Sequence, residues 1–226
     1  MTYRSLTANE IAQLQAQHCT CDDWNNLSVH PNFNPNYVKH VHFSGKVRIG
    51  FMDKTFTLEG GIPRHSGLYH SSIHNCNIGN NVYISRIHRY IANYDIADNC
   101  YIEDTECIAT TCASTFGNGI KVSVLNETGG RSIAICNKLS SQLAYIMTLY
   151  RHRAKTIERI DQVIQEYAAS IHSSQGYIGE NVQITSCGNI KNVYIGDNTH
   201  IDSANELENG SINSNESAPV HVGVNV

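Results

Sequence analysis

The chain has 226 residues, enough for one domain with a buried core. It carries 16 Lys and Arg against 20 Asp and Glu, and this slightly acidic balance argues against nucleic acid as a partner. No stretch approaches the roughly 20 apolar residues of a membrane helix, and the N-terminus leads into no apolar signal core, so we predict a cytoplasmic protein with no membrane partner.

Two residue types are unusually frequent. The chain contains 24 Asn and 25 Ile. Asn tolerates left-handed backbone and closes tight turns, whereas β-branched Ile favours strands. The composition therefore predicts many short strands separated by tight turns.

Residues 1–44 are predicted to form a short helix and a lead-in to the main fold. The segment from Thr7 to Glu10 matches a capping box, which predicts a helix that ends at about Gln17. After a loop, the alternating pattern from Val38 to Leu58 predicts strands.

A six-residue repeat dominates residues 45–113 and 178–226. Its units begin at Ile78, Ile84, Tyr90, Ile96, Ile102 and Ile108, and again at Ile178, Ile184, Ile190, Ile195, Ile201, Leu207 and Ile212. Neither an α-helix nor simple strand alternation has this period. We expect the first residue of each unit to point inward, and three units to form one triangular coil of about 18 residues.

The units IGNNVYI, IADNCYI, IGENVQI and IGDNTHI resemble the left-handed β-helix of the hexapeptide-repeat proteins. The resemblance implies an all-β solenoid, a left-handed parallel β-helix, here with an inserted α-helical segment and a short N-terminal helix. It also implies a homotrimer. The two repeat blocks would then be parts of one β-helix.

The insertion, residues 114–177, does not keep the period. It begins with a Gly- and Asn-rich segment, and then apolar residues alternate at spacings of four and three from Leu139 to Ile171. This heptad seam predicts either one long helix or a helical hairpin broken at Arg151–Arg153. The seam needs a partner: its own other half, the β-helix flank or a neighbouring subunit, of which we favour the last two equally.

The C-terminal segment from Val220 to Val224 has the pattern of a fresh coil, which predicts that this end is buried in an assembly or continues in a longer protein. The second alternative fits another resemblance. The segments SLTANEIAQLQAQHC, FGNGIKVSVLNETGGR, LAYIMTLYRHR and ENGSINSNESAPVHVG resemble the N-terminal part of a family of large bacterial β-helix proteins of unknown function. That family supplies no activity.

The eight cysteines are interpreted as buried apolar thiols. Only Cys19 and Cys21 are close in sequence, and their one-residue gap is shorter than the spacing of a usual zinc ligand pair. We therefore predict no metal site. The resemblance to hexapeptide-repeat proteins implies no resident cofactor, with acyl-CoA only as a co-substrate.

His88 is the candidate catalytic residue. Hexapeptide-repeat acyltransferases use a His as general base toward a hydroxyl or amine, in a cleft between two subunits, and the resemblance implies such a His here. Among His74, His88, His200 and His221, we favour His88 because it lies between Arg86 and Arg89, which are suited to a phosphate. We expect His88 to share a face with Tyr94 and Asp95, whose carboxylate would orient the imidazole.

A second group of candidate substrate-binding residues lies in the insertion, at Asn118, Asn126, Glu127 and Arg131. Paired glycines at 129 and 130 permit close approach of a ligand to the backbone, and the amide, carboxylate and guanidinium groups suit a sugar or phosphate. The same residues are also ordinary turn residues, and Glu127 with Arg131 is equally well explained as an internal ion pair.

The sequence leads to two hypotheses of function. The first is a transferase that moves an acyl group from an acyl-CoA-type donor to a sugar or nucleotide-sugar. The second is a non-catalytic scaffold or oligomerisation domain. A nucleotidyltransferase is disfavoured, because the chain lacks a Gly-rich phosphate loop that follows a strand.

Overall fold

The computed structural model describes residues 3–123 and 132–224 of the chain, and within them the fold is mostly β with few helices. One mixed sheet of 16 strands and two two-stranded sheets account for the β structure of these residues. The strands are β1 Arg4–Ser5, β2 Thr20–Cys21, β3 Leu27–Val29, β4 Val38–Ser44, β5 Val47–Ile49, β6 Thr55–Thr57, β7 Pro63–His65, β8 Gly67–His74, β9 Asn77–Ile78, β10 Tyr83–Ala92, β11 Tyr94–Ile96, β12 Tyr101–Ala109, β13 Lys121–Ser123, β14 Ser132–Ala134, β15 Gly176–Ile178, β16 Gln183–Thr185, β17 Asn189–Ile195, β18 His200–Asp202, β19 Glu206–Ile212 and β20 His221–Val222. The α-helices are α1 Ala8–Ala16, α2 Ser141–Leu149 and α3 Ala154–Ser170. None of the helices in the described residues is long and apolar enough to cross a membrane.

Parallel pairing divides the large sheet into three ladders. The first ladder joins the N-terminal parts of β4, β8, β10 and β12 to β16, β18 and β20. The second ladder joins β2 and the C-terminal parts of β4, β8, β10 and β12 to the start of β17 and of β19. The third ladder joins β3, β5, β9, β11 and β15 to the ends of β17 and β19. The antiparallel pair of β1 with β3 makes the sheet mixed.

The isoleucines that open the repeat units pair with one another across the rungs of the ladders. In the first ladder Ile84 pairs with Ile102, Ile102 with Ile184, and Ile184 with Ile201. All four side chains are buried, as the repeat predicts. Each such burial stabilises the fold by about 1.5–3 kcal/mol. The pairing of β12 with β16 also shows that the insertion leaves the register of the ladder intact.

Residues with positive φ mark the points where the chain passes from one ladder to the next. Between the second and third ladders these are Gly45, Asn75, Asn93, Asn192 and Asn209; between the third and first they are Asn81, Asn99, Asn181 and Asn198. Asn suits this left-handed backbone, and its position at the turns is the one that the composition predicts. The third set, between the first and second ladders, contains no Asn: it is His18, His40, His70, Arg86, Asp104, Ser186 and Ser203, which we call the first corner.

The predicted N-terminal helix is confirmed as α1. The Oγ1 atom of Thr7 accepts a hydrogen bond from the Glu10 backbone, and the Glu10 carboxylate accepts one of 2.8 Å from the Thr7 backbone, which completes the capping box. Arg4 donates to the same carboxylate, at 2.7 Å. That hydrogen bond is the main cause that lowers the pKa of Glu10 to about 2. The lead-in strands β2, β3 and β4 join the large sheet.

The insertion contains two helices rather than one. The single long helix is wrong, because the chain breaks between α2 and α3 at residues 150–153, where the sequence places Arg151–Arg153. Met147 of α2 and Ile164 of α3 share a small core with Ile133 and Ala134 of β14. Leu139, Leu143 and Ile160 of the heptad seam pack on the same core, so this part of the seam packs within the insertion on the antiparallel pair β13 and β14, and not on the flank or a neighbouring subunit. Ile146 and Tyr150 of the seam are exposed.

The cysteine thiols lie mostly in the interior. Cys76, Cys100 and Cys187 belong to the main core, and burial raises the pKa of Cys76 and Cys100 to about 12. These thiols stay protonated at neutral pH and pack as the predicted buried apolar thiols, whereas Cys112 is exposed.

Candidate functional site

A β-bulge positions His88 and Arg89. In β10, Ile87 pairs with Thr105 and Tyr90 pairs with Cys107, so His88 and Arg89 together lie opposite the single residue between those partners on β12. Bulges occur preferentially near functional sites because they redirect side chains. Here the bulge places both side chains on the outer face of the second ladder, where each has more than a third of its surface exposed.

His88 has a carboxylate partner, but it is Asp104 and not the predicted Asp95. The Nε2 atom of His88 lies 2.9 Å from Oδ1 of Asp104. Asp104 belongs to the first corner, one rung along from Arg86. With Nε2–H donating to this carboxylate, Nδ1 is the nitrogen left to accept a proton.

The cavity beside His88 is rich in histidine. It has a volume of about 300 Å³ and is lined by His18, Thr20, His40, Val41, His42, His70, Ser71, Ser72, Ile87, His88 and Arg89. We call it the histidine groove. Within residues 3–123 and 132–224, no group of three or more His, Cys, Asp or Glu side chains is placed to hold a metal ion.

Three of these histidines come from the first corner and stack on one another. The rings of His18 and His40 are 4.9 Å apart and 17° from parallel, and those of His40 and His70 are 4.6 Å apart and 9° from parallel. Desolvation lowers the pKa of His40, and the charges of His70 and His18 lower it further. Protonation of His40 between its two neighbours is therefore disfavoured.

The rest of the groove supplies hydroxyl and cationic groups. Thr20 Oγ1 lies 2.8 Å from His42 Nδ1, and His42 Nε2 lies 3.8 Å from Asp22. Neither Asp nor Glu is among the groove's lining residues. Five imidazoles, one guanidinium and several hydroxyls suit a phosphate or carboxylate ligand.

Arg86 does not face the histidine groove. Its guanidinium lies 3.1 Å from the Glu103 carboxylate, on the side of the first ladder. The Tyr101 hydroxyl donates to the other oxygen of Glu103, at 2.7 Å. Of the two predicted phosphate contacts, the structure brings only Arg89 to the groove.

Tyr94 and Asp95 lie apart from His88, because the chain turns at Asn93 and enters the third ladder before it reaches them. Tyr94 is fully buried, and its hydroxyl donates to the Val193 carbonyl at 2.8 Å. The Asp95 carboxylate accepts hydrogen bonds from Asn77 and Gln175. Both residues thus connect rungs of the third ladder.

The predicted loop residues divide into two groups. Asn118 is 3% exposed, and its amide nitrogen donates to the Thr115 and Phe116 carbonyls while its oxygen accepts from the Asn137 backbone. It positions the start of the insertion rather than facing solvent. Asn126, Glu127 and Arg131 lie outside the described residues.

Sequence reasoning missed His18, His40, His42 and His70. They precede Ile78, where the first six-residue unit begins, so the period does not align them. The available signal was the alternation from His40 to His42, which places two histidines near one surface of a predicted strand. The other candidates lie outside the groove: His74 lies 2.8 Å from Ser44 Oγ, and His200 packs against His221.

Comparison with known proteins places the chain in a family. Residues 3–226 match the domain of unknown function DUF4954. An uncharacterised protein of Treponema pallidum (strain Nichols) is 26% identical over 235 residues; the match covers 99% of this chain and 32% of that protein, so the chain spans about a third of the relative's length. No solved structure matches. The predicted resemblance to a large uncharacterised family is thus confirmed, and the chain belongs to the DUF4954 family.

Proposed function

We propose that the histidine groove is the site of a transferase, built on the surface of a left-handed parallel β-helix. The donor would be a phosphate-bearing acyl thioester such as acyl-CoA, and the acceptor a hydroxyl of a sugar or nucleotide-sugar. The observation that carries the proposal is the 2.9 Å contact between His88 and Asp104, at a bulge beside a cavity lined by histidines and Arg89.

The pairing pattern supports the β-helix. Ile84 and Ile102 are paired although 18 residues separate them, and Ile178 pairs with Ile195, 17 residues later. Three ladders that recur at this spacing, each separated by a turn with positive φ, are what a three-sided coil requires. The ladders would then be its three faces.

The reaction uses His88 as general base. Nδ1 of His88 takes the proton of the acceptor hydroxyl as its oxygen bonds to the thioester carbonyl carbon. The carbon–sulfur bond then breaks, and the thiolate leaves with the proton that His88 returns. Asp104 holds the imidazole in the required tautomer, and Arg89 with the stacked histidines contacts the donor phosphates.

The test measures thiol release from acetyl-CoA in the presence of nucleotide-sugars, with the full chain. We expect turnover that falls by about 100-fold or more in His88→Asn. The matched control is His74→Asn, because His74 is also paired with a polar side chain but lies outside the groove. Failure of every acceptor to release thiol, or equal rates for the two variants, would overturn the transferase.

A second candidate function, a scaffold or oligomerisation domain, is favoured by a different surface. On α2 and just beyond it, Tyr145 is 57% exposed, Leu149 43% and Tyr150 44%. Exposed apolar side chains in one cluster are typical of protein contacts. Under this proposal the chain assembles as a trimer through α2. Light scattering should then give the mass of a trimer for wild type and the mass of a monomer for Leu149→Glu.

A further inference from the structure

A second groove lies where the helical insertion meets the third ladder. It consists of two adjoining cavities of about 230 and 350 Å³, which share Asn137, Tyr177 and Tyr194. Four aromatic side chains line the smaller one: Phe116, Tyr167, Tyr177 and Tyr194. We call the two cavities together the tyrosine groove.

The repeat itself places two of these rings together. Tyr177 of β15 and Tyr194 of β17 are paired across adjacent rungs, and their rings stack with centroids 5.1 Å apart. At earlier rungs the same column of the ladder carries Arg48, Asn77 and Asp95. Aromatic residues therefore replace polar ones in this column only where the insertion begins to cover it.

The opposite wall of the groove is held in place by hydrogen bonds. Tyr167 of α3 donates to Oδ1 of Asn137 at 2.8 Å, and the Asn137 backbone donates to the buried Asn118 at 2.6 Å. Ser211 of β19 donates to the Phe116 carbonyl at 2.8 Å. A wall fixed in this way is preorganised for a ligand, and the contacts leave a cavity instead of filling it.

The polar groups that line the groove are neutral, with one exception. A single carboxylate comes from Asp197, and the remaining side-chain groups are amides and hydroxyls, from Asn137, Gln175, Asn213 and Asn215 and from Ser173, Ser211 and Ser214. None of the described lining residues is Lys, Arg or His. The nearest cation seen in the ring contacts is Lys138, whose ammonium lies 4.5 Å from the Tyr167 ring centroid. This lining does not suit a phosphate.

We propose that the tyrosine groove binds a neutral carbohydrate. The C–H faces of a pyranose ring pack on aromatic rings, while its hydroxyls both donate and accept hydrogen bonds, which matches amides, hydroxyls and one carboxylate. The smaller cavity takes the ring face, and the larger one takes the hydroxyls and any further sugar unit. Sites at the junction of two structural parts are a common place for such ligands.

This site is independent of the proposed transfer reaction. The histidine groove lies along the first corner and the second ladder, whereas the tyrosine groove lies on the third ladder under the insertion. The two sites have different lining residues, so a variant in one leaves the other unaltered. A result that overturns the transferase therefore leaves the carbohydrate site untested, and the reverse also holds.

The experiment is saturation-transfer-difference NMR on the full chain. The probes are glucose, galactose, mannose, N-acetylglucosamine and N-acetylgalactosamine, with uridine and UMP as the competing class. We expect at least one sugar to receive saturation, most strongly when the aromatic protons are irradiated. We expect Tyr194→Ala to weaken its affinity about tenfold or more. Tyr145→Ala is the matched control, because Tyr145 is exposed on α2 and outside the groove, and it should bind like wild type.

Each alternative result is informative. If Tyr194→Ala does not fold, two other measurements test the proposal. These are transfer of saturation from aromatic protons to the sugar in wild type, and the loss of that signal in Asp197→Asn. His88→Asn must retain the signal, which excludes the histidine groove as its source. No signal from any sugar, an unchanged affinity in Tyr194→Ala, or binding of uridine or UMP alone would overturn the proposal.

Discussion

The first corner and the two Asn corners have the same backbone but different chemistry. At all three the chain adopts positive φ, yet two of them carry Asn or Gly throughout, while the first carries His, Arg, Asp and Ser. Asn is the side chain best suited to this conformation after Gly. A corner that avoids Asn on every rung is therefore explained by its side-chain chemistry and not by its backbone. The comparison separates residues that form the turns from residues available for the proposed site.

The largest expected effect is at an Asn corner. Asn99→Val should lower the free energy of unfolding by about 1–2 kcal/mol, because a β-branched side chain does not fit the left-handed backbone. Urea unfolding followed by circular dichroism should show a lower midpoint with an unchanged slope. Asn99→Gly is the control: it also removes the hydrogen bond from Lys54, but it keeps the backbone unstrained. Equal losses of unfolding free energy in the two variants would show that Asn99 is needed for its hydrogen bond with Lys54 and not for the backbone conformation of the turn.

The comparison also shows how far sequence reasoning extends. The inward isoleucines follow from the six-residue period and the Asn turns from the composition, and the structure shows both. The histidine groove does not follow from it, because its members come from irregular rungs: 22 residues separate His18 from His40, and 30 separate His40 from His70. Only strand pairing brings them into one column.

The wrong carboxylate partner predicted for His88 has the same cause. Asp95 is closer to His88 in sequence than Asp104 is, but the turn at Asn93 places it on another ladder, whereas Asp104 lies on the next rung of the same corner. In a sheet of stacked rungs, residues paired on adjacent rungs are nearer in space than many residues that are closer in sequence. Side-chain partners therefore depend on the register, which bulges and insertions alter locally.

The second prediction introduces the Asn of the other corners into the first corner. His70→Asn should leave the free energy of unfolding within about 0.5 kcal/mol of wild type, because Asn suits the turn. It should weaken binding of coenzyme A, measured by calorimetry near pH 6.5, about tenfold, because a stacked imidazole of the histidine groove is lost. Ser203→Asn is the control, since Ser203 lies on the same corner but far along the ladder. Unchanged coenzyme A affinity in His70→Asn would show that the first corner is not part of the proposed donor site.

The smallest effect is a pH dependence that only the first corner should show. Desolvation and the charges of His70, His18 and Lys39 lower the pKa of His40 in the folded protein. As the pH falls below the unfolded value of about 6.5, the unfolded chain takes up this proton first, so stability is lost toward acid. His40→Asn removes that proton and should therefore become more stable relative to wild type between pH 7.5 and 5.5. The urea midpoints of the two proteins, compared at both pH values, measure this difference. Asn99→Gly is the control: it leaves His40 in place, so its midpoint should differ from that of wild type by the same amount at both pH values. If the midpoint difference between wild type and His40→Asn stays constant across that range, the surroundings of His40 do not lower its pKa in the folded protein.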